Sequence, residues 1–308
     1  MPVLITGSSG LIGSALAERL EALGKEIYYH SRKPVPSEKK NVVFDLENPD
    51  FEGLSLPEFD IVYHLAGQTS IPRAKLDPLY DLQVNLLGFL KLLLHLRNQK
   101  KKPIVILAAT TTQAGIHKAP LLNELFRDEP VSFYDISKLS AENYLKQFIR
   151  EGWLLGCSLR LANVYGGTKP GQEQDRGVLD KIFHRALKGE TIQIFGDGFS
   201  LRDYIHIEDV VSAFTHASDF IEKTNGKHFL IGTGQSHSLA DAFSAAVQIA
   251  SEISGEKSKI EYVNPPAGSS LVDSRSVVYD VSSFKSAANW NPKFSLESGL
   301  RYSYGKGI

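Results

Sequence analysis

The chain begins with an apolar run, a glycine-rich turn and an amphipathic stretch, and this order constrains the fold more than any other feature. Val3 to Ile5 is followed by Thr6-Gly7-Ser8-Ser9-Gly10-Leu11-Ile12-Gly13, and Ser14 to Leu20 carries apolar residues at helical spacing. The pattern predicts a strand, a tight turn and a helix. The N–H groups of such a turn, at the positive end of the helix dipole, bind an anion, most simply the pyrophosphate of a dinucleotide. A tight turn without a ligand is the alternative.

Bulk properties exclude several classes of protein. The 308 residues carry a net charge of −1, so no overall field attracts nucleic acid or a membrane surface. The single cysteine, Cys157, permits no intramolecular disulfide, which fits a cytoplasmic protein, and it lies in an apolar run that predicts a buried thiol. No signal peptide precedes Val3, and no apolar run approaches the roughly 18 residues of a membrane span. We expect no metal site.

The remaining pattern alternates strands and helices. Apolar runs at residues 26–30, 42–46, 61–67, 103–109, 159–165 and 227–232 read as further strands. Between and after them, helices are expected at residues 78–98, 139–150, 177–187, 208–220, 238–253 and 296–304, with extended pieces at 191–195, 202–206 and 260–262. The chain is therefore predicted to be α/β, a Rossmann-type doubly wound parallel sheet with a smaller mixed C-terminal substrate lobe. We expect residues 1–168 with about 203–232 to form the first domain, and about 169–202 with 233–308 the lobe.

The end of the second strand bears on the choice of dinucleotide. A carboxylate there would bind the ribose 2′-hydroxyl and repel a 2′-phosphate. The chain has Ser31-Arg32-Lys33 instead, whose hydroxyl and cations suit a phosphate, so NADP is favoured over NAD. A solvated loop with incidental charge is the alternative. Asp45, after the third strand, either accepts from the adenine amino group or serves as a turn or N-cap residue. His64, in the fourth strand, is read as a packed residue.

Tyr134 and Lys138 lie four residues apart at the start of a helix, after a loop of more than twenty residues. A lysine ammonium beside a tyrosine favours the phenolate, so we expect Lys138 to lower the pKa of Tyr134 and let it exchange a proton with a substrate hydroxyl or carbonyl. Thr110, at the end of the fifth strand, supplies a hydroxyl for the same substrate oxygen.

Together these motifs resemble those of the extended short-chain dehydrogenases/reductases, in the nucleotide-sugar epimerase/dehydratase group. The likeness covers residues 3 to about 300. It rests on the glycine turn, Asn85 in residues 84–88, the Tyr134/Lys138 pair, and the segments 160–166 and 195–206. An NAD(P)-dependent oxidoreductase or epimerase of carbohydrate biosynthesis is what the resemblance implies.

The resemblance also implies roles for single residues. Tyr134 would be the catalytic acid–base, Lys138 would orient the nicotinamide ribose, and Thr110 would replace the usual serine or threonine. Asn163 and Arg202 would contact the diphosphate of the sugar nucleotide. The other residues assigned to the cofactor are Gly7, Gly10, Leu11, Ile12, Gly13, Ser31, Arg32, Asp45, Leu46, Leu65, Ala66, Gly67, Asn85 and Val164. The other residues assigned to the substrate are Thr111, Val178, Ile194 and Arg275, the last as a substitute for an arginine of the 4-epimerases.

Departures from the family pattern narrow the reaction. The 4,6-dehydratases carry an Asp-Glu pair after the strand-end threonine, and here Thr111-Thr112 follows, so a dehydratase is rejected, as is a decarboxylase. Ala114 stands where many members have a tyrosine, so a substrate contact is missing or supplied elsewhere. The remaining reactions are an NADPH-dependent nucleotide-4-keto-sugar reductase, which Ser31-Arg32 favours, and an NAD-dependent 4-epimerase. A third hypothesis is a protein that senses NADP without turnover.

The helix expected at residues 78–98 is apolar on most of its circumference, so it is predicted to face both its own sheet and a partner subunit. With the helix that starts near Lys138 it would form a four-helix contact in a homodimer. The nucleotide base, the sugar and the stereochemistry at C4 stay open.

Overall fold

The computed structural model describes residues 1–33, 39–51, 54, 56–117, 121–167, 177–265 and 275–304. Its strands are β1 (Pro2–Thr6), β2 (Glu26–Ser31), β3 (Lys40–Val43), β4 (Ile61–His64), β5 (Ile104–Thr110), β6 (Leu155–Leu161), β7 (Asn163–Tyr165), β8 (Ile192–Phe195), β9 (Leu201–His206), β10 (His228–Ile231), β11 (Ser236–Ser238) and β12 (Ile260–Val263). Seven of them form one parallel sheet in the order β10-β6-β5-β4-β1-β2-β3. The winding reverses between β1 and β4, so the predicted doubly wound parallel fold is confirmed.

Helices cover the sheet and build the rest of the chain. They are α1 (Leu11–Ala22), α2 (Ile71–Leu76), α3 (Pro78–Leu82), α4 (Gly88–Leu96), α5 (Phe133–Arg150), α6 (Val178–Leu187), α7 (Ile207–Asp219), α8 (Ile221–Thr224), α9 (Leu239–Ser254), α10 (Ser282–Ala288) and α11 (Leu296–Tyr304). A π-helical turn, Gln83–Leu87, joins α3 to α4, and a 3₁₀ turn, Thr111–Ala114, follows β5.

Several expected elements differ in detail. The strand expected at residues 159–165 is divided between β6 and β7, which belong to different sheets, and the helix expected at residues 139–150 begins at Phe133. The third strand ends at Val43 rather than residue 46, because Asp45 Oδ1 accepts from the N–H of Glu47 at 3.0 Å and turns the chain. The helix expected at residues 78–98 contains the π turn, which holds Asn85 in contact with a loop far away in sequence. The leucine-rich sequence of this stretch does not indicate where the α-helix is interrupted by the π turn.

Three hydrophobic cores follow from the side-chain alternation. In β1, Val3 and Ile5 face one side of the sheet, where α1 and α7 pack, and Leu4 faces the other, where α4 and α5 pack. The thiol of Cys157 is buried on the first side, as expected. A third core joins α6, β8, α9 and α11, and β8 pairs with β12 in a separate two-stranded sheet. The proposed domain boundaries remain a prediction.

The helical stretch Pro78–Leu96 corrects the expectation that no apolar run approaches the length of a membrane span. It has 19 residues, and an 18-residue window in it has a mean hydropathy of 1.2, so by length and composition alone it could cross a membrane. Phe89, Leu92, Leu93 and Leu96 are nevertheless fully buried in the second core, against the parallel sheet. Their apolar character is thus explained by packing inside this domain.

Candidate active site

The glycine turn lies at the carboxyl end of β1, beside the point where the sheet winding reverses. Gly7 has φ +68°, and a Cβ there would lie 2.8 Å from the backbone of Ala66. A Cβ on Gly13 would lie 2.2 Å from Gly7 O. Gly10 precedes α1 and supplies no side-chain cap, so the first-turn N–H groups remain available to an anion. These residues fit the pyrophosphate of a dinucleotide.

A buried imidazole, which the sequence reading did not single out, holds this turn. The N–H of Gly7 donates to His30 Nδ1 at 3.2 Å, and His30 Nε2 lies 2.9 Å from Phe44 O. A carbonyl only accepts, so Nε2 carries the proton and Nδ1 is the acceptor. Burial lowers the pKa of His30, which agrees with this neutral tautomer. His30 thus links the glycine turn of β1 to the segment after β3.

Strand β2 ends at Ser31, next to the residues that we expected at its end. Ser31 is the last residue of the strand and pairs with Val43 of β3. Its hydroxyl donates to Lys33 O at 2.7 Å, and the side chain of Arg32 is exposed. Among the residues that the structure describes after β2, up to residue 33, there is no carboxylate, whereas Asp45 is exposed beyond β3. The register behind the NADP preference therefore holds, although the preference itself stays a prediction.

The loop after β4 is fixed from two sides. Thr6 Oγ1 accepts from the N–H groups of Leu65 and Ala66 at 3.1 and 3.2 Å. The hydroxyl of Thr6 lies 3.0 Å from Nδ1 of buried His64, whose ring stacks on Phe89, so His64 is the packed residue that was expected. The backbone of residues 65–67 therefore has one conformation at the reversal point, as close approach to a cofactor requires.

Asn85 closes the other side of this loop. Its Oδ1 accepts from the N–H of Gln68 and its Nδ2 donates to Gln68 O, both at 3.0 Å. A Cβ on Gly67 would lie 2.6 Å from Asn85 Oδ1. Asp81 Oδ1 accepts from both amide side chains, at 2.8 and 2.9 Å, and Asp81 is fully buried. The predicted cofactor residue Asn85 thus acts on the loop backbone, and Asp81 is a member of the site that sequence reasoning missed.

The predicted catalytic residues come together between β5 and α5. Thr110 ends β5, Ser132 caps α5, and Tyr134 and Lys138 lie in its first turns. Lys138 Nζ donates to Ala108 O at 2.6 Å, which brings the ammonium against the end of β5. Burial lowers the pKa of Lys138 to about 8, and the carboxylates of Asp81 and Glu142 oppose that shift.

We expected Lys138 to lower the pKa of Tyr134, and for the protein without a cofactor this expectation is wrong. Its pKa is raised above the ordinary value of 10, first by burial and then by the carboxylates of Asp135 and Asp81. Neither burial nor these two charges is visible in the Tyr-x-x-x-Lys spacing. Tyr134 is therefore a protonated phenol, a form that can donate a proton.

A buried charge network supports the backbone of Thr110. The N–H of Thr110 donates to Gln113 Oε1 at 3.1 Å, and Gln113 Nε2 donates to Glu142 Oε2 at 3.3 Å. Glu142 is fully buried and pairs with the Arg160 guanidinium at 2.8 and 3.0 Å. Arg160 also holds Asp128 through two bonds of 2.6 and 2.7 Å. The end of β5 and the following loop are thus anchored to β6 and α5.

On the substrate side, the structure joins two arginines that lie far apart in sequence. Arg202 Nη1 donates to the backbone oxygen of Arg275, and Arg275 Nε is buried with no hydrogen-bond partner in the part of the chain that the structure describes. Asn163 is exposed and donates to Asp203 O at 3.1 Å. These cations and the amide are suited to a diphosphate.

Tyr279 was not predicted. It is buried, hydrogen-bonds the side chain of Thr111, and lies near Arg275 and Arg202, while burial raises its pKa. It brings a phenol to the strand end that lacks one at Ala114. Tyr279 lies far from Thr111 in the sequence, so no local sequence pattern indicates that the two residues meet.

Three other residues that we assigned to the ligands differ in how far their side chains are exposed. Val178 is 62% exposed at the start of α6. Ile194 and Leu46 are buried, so only their backbone can meet a ligand. Among the described residues, no group of three His, Cys, Asp or Glu side chains could hold a metal ion.

Comparison with known proteins agrees with this arrangement. Residues 3–232 match the NAD dependent epimerase/dehydratase family. The UDP-glucose 4-epimerase of Mycolicibacterium smegmatis is 31% identical, with 97% of this chain and 96% of that protein covered. The GDP-6-deoxy-D-mannose reductase of Pseudomonas aeruginosa is 27% identical over 97% and 94% of the two chains. The UDP-glucose 4-epimerase of Thermotoga maritima, solved with UDP-glucose, superposes with a TM-score of 0.85 at 31% identity, over 98% and 97% of the chains.

Both kinds of dinucleotide occur among similar structures. Some are complexes with NAD and one is a complex with NADPH.

Proposed function

This chain belongs to the NAD dependent epimerase/dehydratase family, and on that premise we propose that it reduces C4 of a nucleotide-linked 4-keto sugar with NADPH. The observation that carries the proposal is the end of β2, where Ser31 and the exposed Arg32 stand in place of a carboxylate. A hydroxyl and a guanidinium suit a 2′-phosphate, and an exchangeable NADPH suits a net reduction. The similarity to a GDP-sugar reductase over nearly the whole chain supports it.

The residues between β5 and α5 have roles that follow from their positions. When bound, the reduced nicotinamide supplies the hydride that C4 receives. Tyr134, held as a neutral phenol, donates its proton to the C4 oxygen. Lys138 lies one helical turn further along α5 with its Nζ bonded to Ala108 O, and its positive charge would stabilise the phenolate that this donation leaves. Thr110, at the end of β5, would accept from the C4 hydroxyl that the reduction forms.

The lobe side of the site binds the remainder of the substrate. The guanidinium of Arg202 donates to the backbone oxygen of Arg275, whose own side chain is buried, and Asn163 is exposed on β7, the strand that pairs with β9. Charge-assisted hydrogen bonds to the diphosphate would hold the sugar at Tyr134.

A 4-epimerase is the second candidate, because UDP-glucose 4-epimerases are 31% identical to this chain over almost its full length. In that reaction Tyr134 would first remove the proton of a C4 hydroxyl and later return it. A 4,6-dehydratase is not proposed, since Thr111 and Thr112 replace its carboxylates. The carboxylate of Asp135, which contacts Thr112, has both oxygens engaged.

Two assays separate the candidates. Purified protein is incubated with NADPH and either UDP-4-keto-6-deoxyglucose or GDP-4-keto-6-deoxymannose, and NADPH absorbance is followed. In parallel, UDP-glucose is incubated without added cofactor and the sugars are separated. NADPH consumption supports the reductase. Formation of UDP-galactose with a retained NAD supports the epimerase, and NADPH binding without either reaction points to a sensor.

We also propose a homodimer in the cytoplasm. Apolar side chains at helical spacing are partly exposed on the helices around the π turn and on α5: Leu79, Leu82, Leu87, Leu94, Phe133, Ile136 and Tyr144. The two helical segments pack side by side. A second copy would cover both rows in a four-helix contact.

A further inference from the structure

A chain of hydrogen bonds outside the predicted catalytic set ends at Thr110. The hydroxyl oxygens of Thr110 and Thr112 lie 2.9 Å apart, and the hydroxyl of Thr112 donates to Asp135 Oδ1. Asp135 Oδ2 accepts from Ser132 Oγ at 2.7 Å. Asp135 is fully buried and directly follows Tyr134 in α5. Asp135 is therefore connected to the hydroxyl of Thr110 through Thr112, and it is the neighbour of Tyr134 in the sequence.

The carboxylate of Asp135, which can only accept, determines which hydroxyl donates at each step of this series of hydrogen bonds. An ionised carboxylate has no proton to give, so Thr112 uses its single hydroxyl proton on Asp135. In the contact between the two threonines, Thr110 must then be the donor. The N–H of Thr112 also points at Thr110 Oγ1, at 3.3 Å. The proton of Thr110 is thus committed to the protein, and a lone pair is what Thr110 offers to a ligand.

The same carboxylate acts on Tyr134 through its charge. Asp135 contributes more than Asp81 of α3 to the raised pKa of the phenol, after burial. Lys138, one helical turn along α5, is the cation nearby, and its Nζ is bonded to Ala108 O. A negative charge adjacent to a phenol disfavours the phenolate.

We propose that Asp135 is a positioning residue that sets the proton on both catalytic hydroxyls, holding Thr110 as an acceptor through Thr112 and Tyr134 as a donor. A C4 hydroxyl can use both the donor and the acceptor, whereas a C4 keto oxygen can use only the donor. The site is therefore built around the alcohol form of the sugar, with the keto form bound through Tyr134. This inference rests on the catalytic roles given to Thr110 and Tyr134 above.

The ionisation of Tyr134 can be read without turnover. Full-length protein is produced with 3-fluorotyrosine, and the ¹⁹F resonance of residue 134 is the one that Tyr134→Phe removes from the twelve tyrosines. Fluorine lowers the pKa of the phenol and so brings its titration into reach. In Asp135→Asn we expect the midpoint of this residue to fall by about one pH unit. Thr112→Val is the matched control, because it removes a hydroxyl of the chain and leaves the charge, and its midpoint is expected to stay.

An unchanged midpoint in Asp135→Asn overturns the proposal, as does an equal fall in Thr112→Val. Asp135 also lies in the first turn of α5, where a carboxylate stabilises a helix, and that role alone would not move the titration of Tyr134. If Asp135→Asn does not fold, Asp135→Ser loses the charge and keeps an oxygen at this turn.

The direction of the Thr110 proton is read by neutron diffraction of the deuterated protein. We expect the deuteron of Thr110 on the line to Thr112, and a deuteron turned elsewhere contradicts the donor order. Neither measurement depends on the reaction catalysed. If these measurements contradict the role of Asp135, the proposed function is unaffected. If the NADPH assay fails, the ¹⁹F titration and the neutron structure still test the role of Asp135.

Discussion

Substitution of Glu142 by glutamine should lower the free energy of unfolding strongly, although the two side chains have nearly the same shape. It is fully buried in α5 and accepts from Arg160 at 2.8 and 3.0 Å, from Ser158 Oγ at 2.9 Å and from Lys146 Nζ at 2.6 Å. Glu142→Gln removes the charge and turns an amide N–H₂ toward donors. The Arg160 guanidinium then keeps only Asp128 as an anionic partner.

The size of the effect follows from the titration of the carboxyl. The Arg160 guanidinium opposes burial and lowers the pKa of Glu142 to about 2, against an ordinary value of 4.5. A difference of this size corresponds to about 3 kcal/mol of folding free energy at neutral pH. Because the folded-state pKa is the lower one, this stability is present above pH 4.5 and is lost as the pH falls toward 2. We therefore expect Glu142→Gln to lower Tm by about 5 °C at pH 7.

The assay is thermal unfolding followed by circular dichroism between pH 7 and pH 3. The deficit of Glu142→Gln should shrink steadily below pH 4.5, because the unfolded wild-type chain takes up a proton at this carboxyl there, while folded Glu142 stays ionised until the pH approaches 2. Glu252→Gln is the control, since Glu252 makes a salt bridge with Arg301 at the surface, and its Tm should hardly change. A deficit that is the same at pH 3 and pH 7, or one no larger than that of the control, would refute the reasoning.

Three further predictions concern the site and the assembly. Tyr134→Phe should keep the fold and bind NADPH in a fluorescence titration but lose most turnover, and near wild-type activity would contradict the acid–base role. Arg32→Ala should weaken NADPH binding by about tenfold, as expected for one charge-assisted contact with a phosphate, and leave NADH binding nearly unchanged; equal effects on both would mean that the β2 argument is wrong. Leu94→Glu should convert a dimer into a monomer in light scattering at micromolar concentration, whereas a wild-type monomer would exclude the four-helix contact.

Much of the fold follows from local patterns in the sequence. The glycine turn, the apolar runs of the parallel strands and the ends of helices such as α6 are set by neighbours within a few residues. The sheet order and the reversal between β1 and β4 then follow from the family resemblance. The π turn at Gln83–Leu87 could not be predicted, because the contact that accompanies it joins Asn85 to Gln68, seventeen residues earlier.

The site was predictable where one residue type at a motif position carries the chemistry, as for Tyr134 and Lys138. It was not predictable where three-dimensional contacts decide. The raised pKa of Tyr134 depends on burial and on Asp81, which reaches it from another helix. His30 and Tyr279 belong to no motif and join the site only through tertiary packing.

The position of His30 has a consequence for how the coenzyme could be exchanged. Successive side chains of a strand point to opposite faces, so His30 turns inward to Gly7 while Ser31 turns away. The residues that would contact the diphosphate and those that would contact the ribose are consequently on opposite faces of β2, although they are adjacent in sequence. We therefore expect substitutions at residues 31 and 32, made to change the coenzyme, to leave the bond between His30 and Gly7 intact.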